Sequence, residues 1–425
     1  MNEKRQRIAV IGAGISGLAS AYFLSRQHDV VLYEAGAYLG GHTNTVDVTI
    51  EGITHPVDTG FLVYNQATYP NLIALFAELG VKSYGTDMSF GVSIDDGATE
   101  WAGTNLDTFF AQRSHLCSPS FLLMLRDIMR FNGAAELYLK RTVASGETLG
   151  ELLAAENYRD AFRDAYLLPM AAAIWSSSPS DILHYPASTF LRFCMNHALL
   201  QVTNRPQWLT VKGGGRDYVQ KIAATLTDAR INSPVTKVKR SETGAFVSTA
   251  QGEEAFDAVV FATHSPQTLQ ILEDATEDER KVLSAVRYQY NKAILHTDIK
   301  QMPLRKKVWS SWNYLSTVAQ DDQRPVCVSY WLNQLQELPF ETPVMVTLNP
   351  FAAPDPAKVI AEFDYEHPVF DHAAINAQKQ LATIQGKKSI WFAGAWTGYG
   401  FHEDGLKSAL RVVNDFGLAP SWAVL

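Results

Sequence analysis

The sequence of 425 residues predicts an α/β protein whose two domains are interleaved along the chain. Near the N-terminus, short apolar runs alternate with a glycine-rich turn and a helical pattern, which is typical of a parallel sheet covered by helices. The same alternation of strand and helix returns after residue 389. Between these ends, a mainly helical stretch and a stretch of mixed pattern are long enough to form a second domain of the α+β class.

Composition restricts the function. Hydrophobic residues make up 47% of the chain and charged residues 19%, which is enough apolar material for a large buried core. The net charge of −8 and the lack of a basic block argue against nucleic acid as a partner. The three cysteines lie far apart, and neither they nor the histidines have the spacing of a metal site. The N-terminus has no signal-peptide pattern, so we expect a cytoplasmic protein.

The first segment has the order strand, turn, helix, strand. Residues 8–11 are an apolar run, 18–25 carry small and apolar residues at helical spacing, and 30–33 are a second apolar run that ends at Glu34. This order, completed within the first 34 residues, is typical of a Rossmann-like unit that binds a dinucleotide.

Three glycines in the turn have separate roles. Gly12 allows the tight turn, Gly14 lets the backbone approach a pyrophosphate, and Gly17 lets the helix pack closely on the strand. Free N–H groups at the start of the helix favour phosphate. A carboxylate at Glu34 suits ribose hydroxyls and disfavours a 2′-phosphate, so NADP is not expected here.

Two further turns follow that NAD does not require, Leu39-Gly-Gly-His-Thr43 and Asp58-Thr-Gly-Phe61. With the first turn they resemble the flavin-containing amine oxidase superfamily, which includes phytoene desaturases and protoporphyrinogen oxidases. That family usually has arginine where this chain has His42. The resemblance implies FAD in a glutathione-reductase-type domain. It implies cofactor contacts at the helix start, the ribose acid and both turns: Ile15, Ser16, Ala35, Gly40, Gly41, His42, Thr43, Asp58, Thr59, Gly60 and Phe61.

The C-terminal segment resembles the last FAD-binding segment of the same superfamily. An apolar run at 390–393 ends at Gly394, and a helical pattern starts at Gly405 after a loop. On the resemblance, Gly394 approaches the pyrophosphate or the ribityl chain, and Asp404, Gly405 and Leu406 lie at the N1–C2 edge of the flavin. A helix N-terminus there would stabilise the anionic reduced flavin. The loop contains no cysteine, so we expect the FAD to be non-covalent.

The middle of the chain resembles the returning half of the FAD domain. In this part, Val235 is implied to pack near the adenine. The remaining segments carry helical patterns at 69–79, 120–141 and 160–175, followed by strand-like runs such as 293–297 and 326–331. We therefore assign 1–65, 205–270 and 385–425 to the FAD-binding domain, and 66–204 and 271–384 to the substrate-binding domain.

Two residues are candidates for catalysis. Lys292 lies in a segment that resembles the amine oxidase strand whose lysine holds a water near flavin N5. His402 falls near the position where amine oxidases carry one tyrosine of an aromatic amine cage. A surface lysine on a strand is the alternative for Lys292. The shorter, altered loop at 396–402 weakens the case for a simple amine substrate.

Phrases in the middle of the chain resemble one bacterial subgroup, similar to the flavin domain of plant cyclopropane fatty acid synthases and to a desaturase of furan fatty acid formation. They include Trp175-Ser-Ser-Ser-Pro179, Arg205-Pro-Gln-Trp208 and Trp309-Ser-Ser-Trp-Asn-Tyr314. The resemblance implies a lipid substrate and an FAD-dependent oxidase or desaturase that introduces a double bond into an unsaturated acyl chain. A double-bond isomerase, an amine oxidase and an FAD-stabilised accessory module for a lipid methyltransferase remain alternatives.

Contact with a membrane is a separate expectation. The run from Phe121 to Phe131 has apolar residues at helical spacing, with Arg126 and Arg130 on another face. Such a helix can lie on the cytoplasmic surface of a membrane, although a stripe of this kind also suits the protein core.

Overall fold

The computed structural model describes residues 5–197, 199–201, 206–318 and 326–425. Arg205, which belongs to one of the subgroup phrases, and the predicted domain boundary at 204–205 lie outside these residues. The strands of the described residues form two larger sheets and several smaller ones.

The first larger sheet has five strands, and every pairing in it is parallel. Its central strand is Arg7–Ile11, in which Ile8 lies opposite both Val30 and Ala258. The apolar runs are buried on both faces, as expected for a parallel sheet covered on both sides. In spatial order the strands are Ala229–Arg230, Asp29–Tyr33, Arg7–Ile11, Ala258–Phe261 and Ile390–Phe392.

Two helices pack together at one end of this sheet. The first, Ile15–Leu24, begins directly after Gly14, three residues before the predicted start. The second is His402–Asp415. Ser16 Oγ donates a hydrogen bond to the carbonyl of Gly405 at 2.9 Å, which ties the two N-terminal turns together. A Cβ on Gly17 would lie 1.7 Å from the carbonyl oxygen of Gly12, so only glycine fits there.

The second larger sheet has seven strands, all of which come from the segments predicted to form the substrate-binding domain. Its pairings are antiparallel except between Trp312–Leu315 and Phe90–Ile94, which run parallel. The strand-like runs predicted at 293–297 and 326–331 fall within two of its strands, except for residues 297 and 326. The order is Val359–Val369, Arg287–His296, Met345–Leu348, Cys327–Trp331, Trp312–Leu315, Phe90–Ile94 and Thr99–Ala102.

The stretch between residues 105 and 196 is helical, as its pattern predicts. Its longest helix, Pro119–Ser145, buries Phe121, Met124, Ile128 and Phe131. In the described residues, no helix combines the length and the hydropathy needed to span a bilayer. The main further helices of the chain are Pro70–Leu79, Leu149–Ala155, Leu168–Trp175, Pro179–Leu183, Ala187–Asn196, Arg216–Ala223, Ser265–Ile271, Glu277–Ser284 and His372–Gln380.

Three smaller sheets connect these layers. An antiparallel meander of Lys237–Arg240, Ala245–Thr249 and Gly252–Phe256 packs beside the parallel sheet. A hairpin, Thr45–Ile50 with Ile53–Asp58, and a short sheet of Tyr64–Asn65, Trp208–Val211 and Ser83–Thr86 form the others. The strands of the parallel sheet and the meander all come from the segments assigned to cofactor binding. The domain bounds themselves stay a prediction.

Candidate active site

One cavity of about 670 Å³ extends from the parallel sheet to the seven-stranded sheet. Residues that directly follow four parallel strands line its first part: the turn at Gly12, the acid Glu34, the loop 262–264 and the loop at Gly394. Ligands of open α/β sheets bind at this carboxyl edge. The cavity therefore begins where the sequence predicts a dinucleotide.

The glycine turn leaves space for a ligand. A Cβ on Gly14 would meet nothing within 4 Å, whereas Gly41 approaches so closely that its Cβ would lie 3.1 Å from the Cα of Gly14. Glu34 lies at the rim, where Oε2 accepts the N–H of Ala13 at 2.8 Å and Oε1 accepts the N–H of Gly36 at 2.7 Å. An open path over a helix N-terminus, ending at a carboxylate, fits a pyrophosphate joined to a ribose.

Most of the predicted cofactor residues line this cavity. They are Gly12, Gly14, Ile15, Ser16, Glu34, Ala35, Gly40, Gly41, His42, Thr59, Gly60, Phe61, Val235 and Gly394, together with the catalytic candidate His402.

Asp58 does not reach the cavity, and its predicted contact needs correction. Its buried carboxylate accepts hydrogen bonds from the hydroxyl of Thr45 at 2.5 Å, the backbone N–H of Gly215 at 2.9 Å and Nε2 of Gln336 at 2.9 Å. Burial raises the pKa of Asp58 to about 6 despite these donors. Asp58 thus joins three segments of the chain. Its neighbours Thr59, Gly60 and Phe61 line the cavity instead.

The start of the C-terminal helix lies behind the cavity wall rather than on it. Asp404, Gly405 and Leu406 are not lining residues. Asp404 Oδ2 accepts the N–H of Phe401 at 3.0 Å, and burial raises the pKa of this carboxyl to about 6. A Cβ on Gly405 would lie 2.7 Å from the side chain of Ile15. The residues predicted to meet the flavin edge therefore pack the two helix starts together.

His402 lies on the cavity wall and is held from behind. Its Nε2 is 2.8 Å from the hydroxyl of Tyr218 and 3.0 Å from that of Thr43, and these hydroxyls are 2.5 Å apart. Its ring stacks on Phe61 with centroids 3.8 Å apart. Burial lowers the pKa of His402 to about 3. A neutral ring with one nitrogen already engaged is better suited to orienting a ligand than to removing a proton.

Lys292 lies away from the cavity, so the role predicted beside the flavin is not supported. Its Nζ pairs with Glu362 at 2.7 Å, and Asp364 lies 3.8 Å away. These acids are on the neighbouring strand and are half-exposed or exposed. The pair with Glu362 raises the pKa of Lys292. The preceding residue, Asn291, points to the opposite face of the strand and is fully buried.

Three histidines that local sequence patterns did not single out as a group meet in the cavity. His42 is 5.2 Å from His367 and 6.4 Å from His264, measured between ring centroids. Nδ1 of His264 is 3.2 Å from Glu366. The buried Nε2 of His42 has no hydrogen-bond partner among the described residues, so it is available to a ligand. Within the described residues, no three His, Cys, Asp or Glu side chains are grouped to hold a metal ion.

One part of the cavity has a mainly aromatic and aliphatic wall and is called the apolar chamber below. The only ionisable carboxylates on the described cavity wall are Glu34 and Glu366, and no lysine or arginine is on it. Glu34 lies at the dinucleotide end, and Glu366 lies beside His264. The chamber is lined by Met88, Ile174, Trp175, Phe193, Leu199, Trp208, Trp312, Tyr330, Leu348, Phe370, Tyr399 and Phe401.

His197 is a histidine on the wall of this chamber. Its Nδ1 lies 3.0 Å from the carbonyl of Phe193, on whose ring it also stacks. A carbonyl only accepts, so Nδ1 carries the proton and Nε2 keeps its lone pair. Burial lowers the pKa of His197 to about 4. Because the orientation of this ring depends on helix packing, the local sequence pattern alone does not assign His197 a role.

Comparison with known proteins agrees with this geometry. The pattern of the family described as "Flavin containing amine oxidoreductase" matches residues 15–415. "Putative flavin-containing monoamine oxidase AofH" of Mycobacterium tuberculosis is 27% identical over 274 residues, covering 60% of this chain and 56% of the relative. The chain thus spans little more than half the length of that curated relative.

Solved structures share the fold across nearly the whole chain. A fatty acid isomerase from P. acnes that produces CLA has a TM-score of 0.67 at 18% identity, with 97% of this chain and 99% of that one covered. Putrescine oxidase with bound putrescine has a TM-score of 0.67 at 17% identity, with 97% and 99% covered. Cyclohexylamine oxidase from Brevibacterium oxydans has a TM-score of 0.68 at 16% identity, with 97% and 100% covered.

The match over residues 15–415 settles the family, and the open glycine turn, the rim carboxylate and the unpartnered His42 nitrogen fit its cofactor. The chain belongs to the flavin-containing amine oxidoreductases, a family whose cofactor is FAD.

Proposed function

We propose that this enzyme oxidises an unsaturated acyl chain, introducing a further double bond into a lipid. The observation that carries the proposal is the apolar chamber, whose described wall holds aromatic and aliphatic side chains and no lysine or arginine. An alkyl chain gains free energy on transfer into such a space, by ~0.8 kcal/mol for each buried CH₂ group.

An amine substrate is less compatible with the same wall. A protonated amine loses its hydration when it enters an apolar chamber, and it then needs a carboxylate or a comparable partner. The two carboxylates on the described wall are at Glu34 and Glu366, outside the aromatic part. The related amine oxidases share the fold, but so does the fatty acid isomerase, and at 16–18% identity these likenesses do not select a substrate.

The residues of the chamber suggest which steps belong to FAD and which to the protein. FAD, when bound, supplies the two-electron acceptor, and oxygen or another acceptor completes the turnover. His197 lines the chamber and its Nε2 keeps a lone pair, so we assign it the proton lost from the acyl chain. The apolar wall aligns the chain in this proposal, and His402, kept neutral by burial, is held in place by Tyr218 and Thr43. This assignment replaces the base predicted at His402 or at a water on Lys292.

The first experiment is an anaerobic titration of the FAD-loaded enzyme. We expect an unsaturated phospholipid in detergent micelles to bleach the oxidised flavin band, and a saturated phospholipid and putrescine to leave it unchanged. Bleaching by putrescine alone would instead identify an amine oxidase. A lipid with a shifted double bond and no bleaching would identify an isomerase. FAD retention without any lipid product would favour the accessory module.

A matched pair of variants tests the proton acceptor. His197→Gln should slow flavin reduction by the lipid about 100-fold or more, because general-base catalysis contributes at least that much. His184→Gln is the control, since His184 has the same Nδ1 contact to a backbone carbonyl, at 2.8 Å from Ser180, but is exposed. Equal rates in the two variants would remove His197 from the chemistry.

A further inference from the structure

His367 is connected to the backbone through two asparagine side chains. Asn349 Oδ1 accepts the backbone N–H of Lys292 at 2.9 Å, and its Nδ2 donates to the carbonyl of Val326 at 3.0 Å. A backbone N–H only donates and a carbonyl only accepts, so the orientation of the Asn349 amide is fixed.

The second amide takes its orientation from the first. Asn349 Nδ2 also donates to Asn291 Oδ1 at 2.7 Å. Asn291 Nδ2 therefore donates to the carbonyl of Gln289 at 3.0 Å and faces Nδ1 of His367 at 3.1 Å. An amide nitrogen cannot accept a hydrogen bond, so Nδ1 of His367 must be the acceptor. The proton of the neutral ring is consequently at Nε2.

The backbone conformation at Asn349 fixes the position of its amide side chain. Asn349 has a φ of 48°, in the left-handed region that asparagine tolerates better than most residues. Its N–H donates to the carbonyl of Lys292 at 2.8 Å, so backbone and side chain of Asn349 both bind the same strand residue. Asn291 is fully buried. Strained and buried polar groups of this kind concentrate at functional sites.

The surroundings of His367 also oppose a positive charge. His42 lies against it from the turn after Gly41, and His264 lies nearby from the loop after the strand Ala258–Phe261. Glu366 is engaged by His264, and Tyr288 stacks on that same histidine. A proton at Nδ1 would oppose the Asn291 donor directly. Burial, helped by His264, lowers the pKa of His367 to about 4.

We propose that Asn349 and Asn291 are positioning residues that hold His367 as the Nε2–H tautomer, a fixed hydrogen-bond donor to the ligand in the cavity. The acceptor is a carbonyl oxygen, a phosphoryl oxygen or a ring nitrogen, located on the cofactor or on the substrate. This proposal does not depend on the acyl-chain substrate.

Nitrogen-15 NMR of histidine-labelled protein tests the tautomer without an activity assay, with His367→Ala to assign the signals. In the wild-type protein we expect Nδ1 of His367 to be unprotonated and Nε2 protonated, with no titration between pH 5 and 8. Exposed His372 is the internal reference. In Asn291→Asp the new carboxylate accepts a proton from Nδ1, so the pKa of His367 should rise by about one unit or more.

Asn333→Asp is the matched control. Asn333 is also partly buried, and its amide binds the backbone of Phe340, Thr342 and Val344, but it has no contact with a histidine. It should leave the His367 signals unchanged, which separates a specific effect from a general loss of structure.

The ligand is tested in two steps. FAD is added first, and an unsaturated phosphatidylcholine in micelles second. A shift of the His367 Nε2–H signal with FAD places the acceptor on the cofactor, and a shift only with lipid places it on the substrate. A wild-type proton at Nδ1, an unchanged pKa in Asn291→Asp, or no response to either ligand would overturn the proposal.

Discussion

Hydrogen bonds at one ring nitrogen decide what each cavity histidine can do with the other. In His197 the Nδ1–H donates to a carbonyl, which leaves Nε2 as an acceptor. In His367 an amide donates to Nδ1, which leaves Nε2 as a donor. In His402 two hydroxyls occupy Nε2. Three residues of one chemical type thus carry different roles because their neighbours differ.

Gly14 allows a test of the cofactor assignment at a single residue. Gly14→Val should abolish FAD retention, because the side chain would occupy the open space over the helix N-terminus. The fold itself should tolerate the change, since a Cβ at this position has no protein atom within 4 Å. The flavin absorbance of the purified protein measures this.

Gly133→Val provides the comparison for Gly14→Val. Gly133 also has nothing within 4 Å of its missing Cβ, but it lies in the long helix outside the cavity. This variant should keep its flavin. A full flavin spectrum in Gly14→Val would contradict the assigned pyrophosphate path.

At the scale of elements, Glu403 couples the C-terminal helix to the helix Pro70–Leu79. Its Oε1 accepts the backbone and side-chain N–H groups of Asn71 at 3.0 and 2.8 Å, and Oε2 accepts the N–H of Leu72 at 2.9 Å. These are donors at a helix N-terminus, which otherwise lack partners. Glu403, in the first turn of the C-terminal helix, therefore caps the N-terminus of the helix Pro70–Leu79.

Glu403→Ala should lower the free energy of unfolding by about 2 kcal/mol, since it removes charged hydrogen bonds from partly buried donors. Chemical denaturation measures the loss. Glu277→Ala, at the exposed first turn of another helix, should cost less than about 0.5 kcal/mol. If both variants lost the same free energy of unfolding, the contacts of Glu403 with Asn71 and Leu72 would contribute no stability beyond that of any acidic residue in a first helical turn.

Elements with a local signal could be predicted from sequence, and contacts across elements could not. Glycines in the first turn and apolar runs act within a few residues, so the sequence predicts the strands Arg7–Ile11, Asp29–Tyr33 and Ile390–Phe392, whereas the short edge strand Ala229–Arg230 gives no such signal. Lys292 lies in a strand, as its segment predicts. Its partners come from the neighbouring strand Val359–Val369, where Glu362 and Asp364 hold its Nζ outside the cavity, and a local pattern does not contain that pairing.

The histidine cluster illustrates the same limit. His42, His264 and His367 come from a turn, a loop and a strand that are far apart in sequence. The folded chain places the ring centroids of His367 and His264 at 5.2 and 6.4 Å from that of His42. The sequence predicts a cofactor contact for Asp58, but its partners Gly215 and Gln336 are distant in sequence and its own segment does not reveal them.

For the whole molecule, buried histidines dominate the dependence of stability on pH. Among the described residues, six deeply placed histidines have pKa values lowered by burial: His42, His197, His264, His296, His367 and His402. Their contribution is present above the ordinary histidine pKa and is lost as the pH falls through the folded-state values. Asp58, Glu403 and Asp404 have raised pKa values and oppose this change.

The free energy of unfolding should therefore fall as the pH decreases from about 6.5 toward 4. Six histidine protons taken up on unfolding outweigh the three released by Asp58, Glu403 and Asp404, so the slope is at most about 4 kcal/mol per pH unit. Urea denaturation at several pH values checks it. A flat profile between pH 5 and 7 would contradict the burial of these rings, and His296→Gln, which removes one of them, should reduce the slope.

The order of strands in the parallel sheet has a consequence for biosynthesis. The strand Ile390–Phe392 completes the sheet beside Ala258–Phe261, and the helix after it packs on the first helix of the chain. During translation, residues 5–34 leave the ribosome long before these partners exist. The nucleotide cleft stays unfinished until residues 390–415 have emerged, so flavin loading must be a late event, and a truncated nascent chain should not capture FAD.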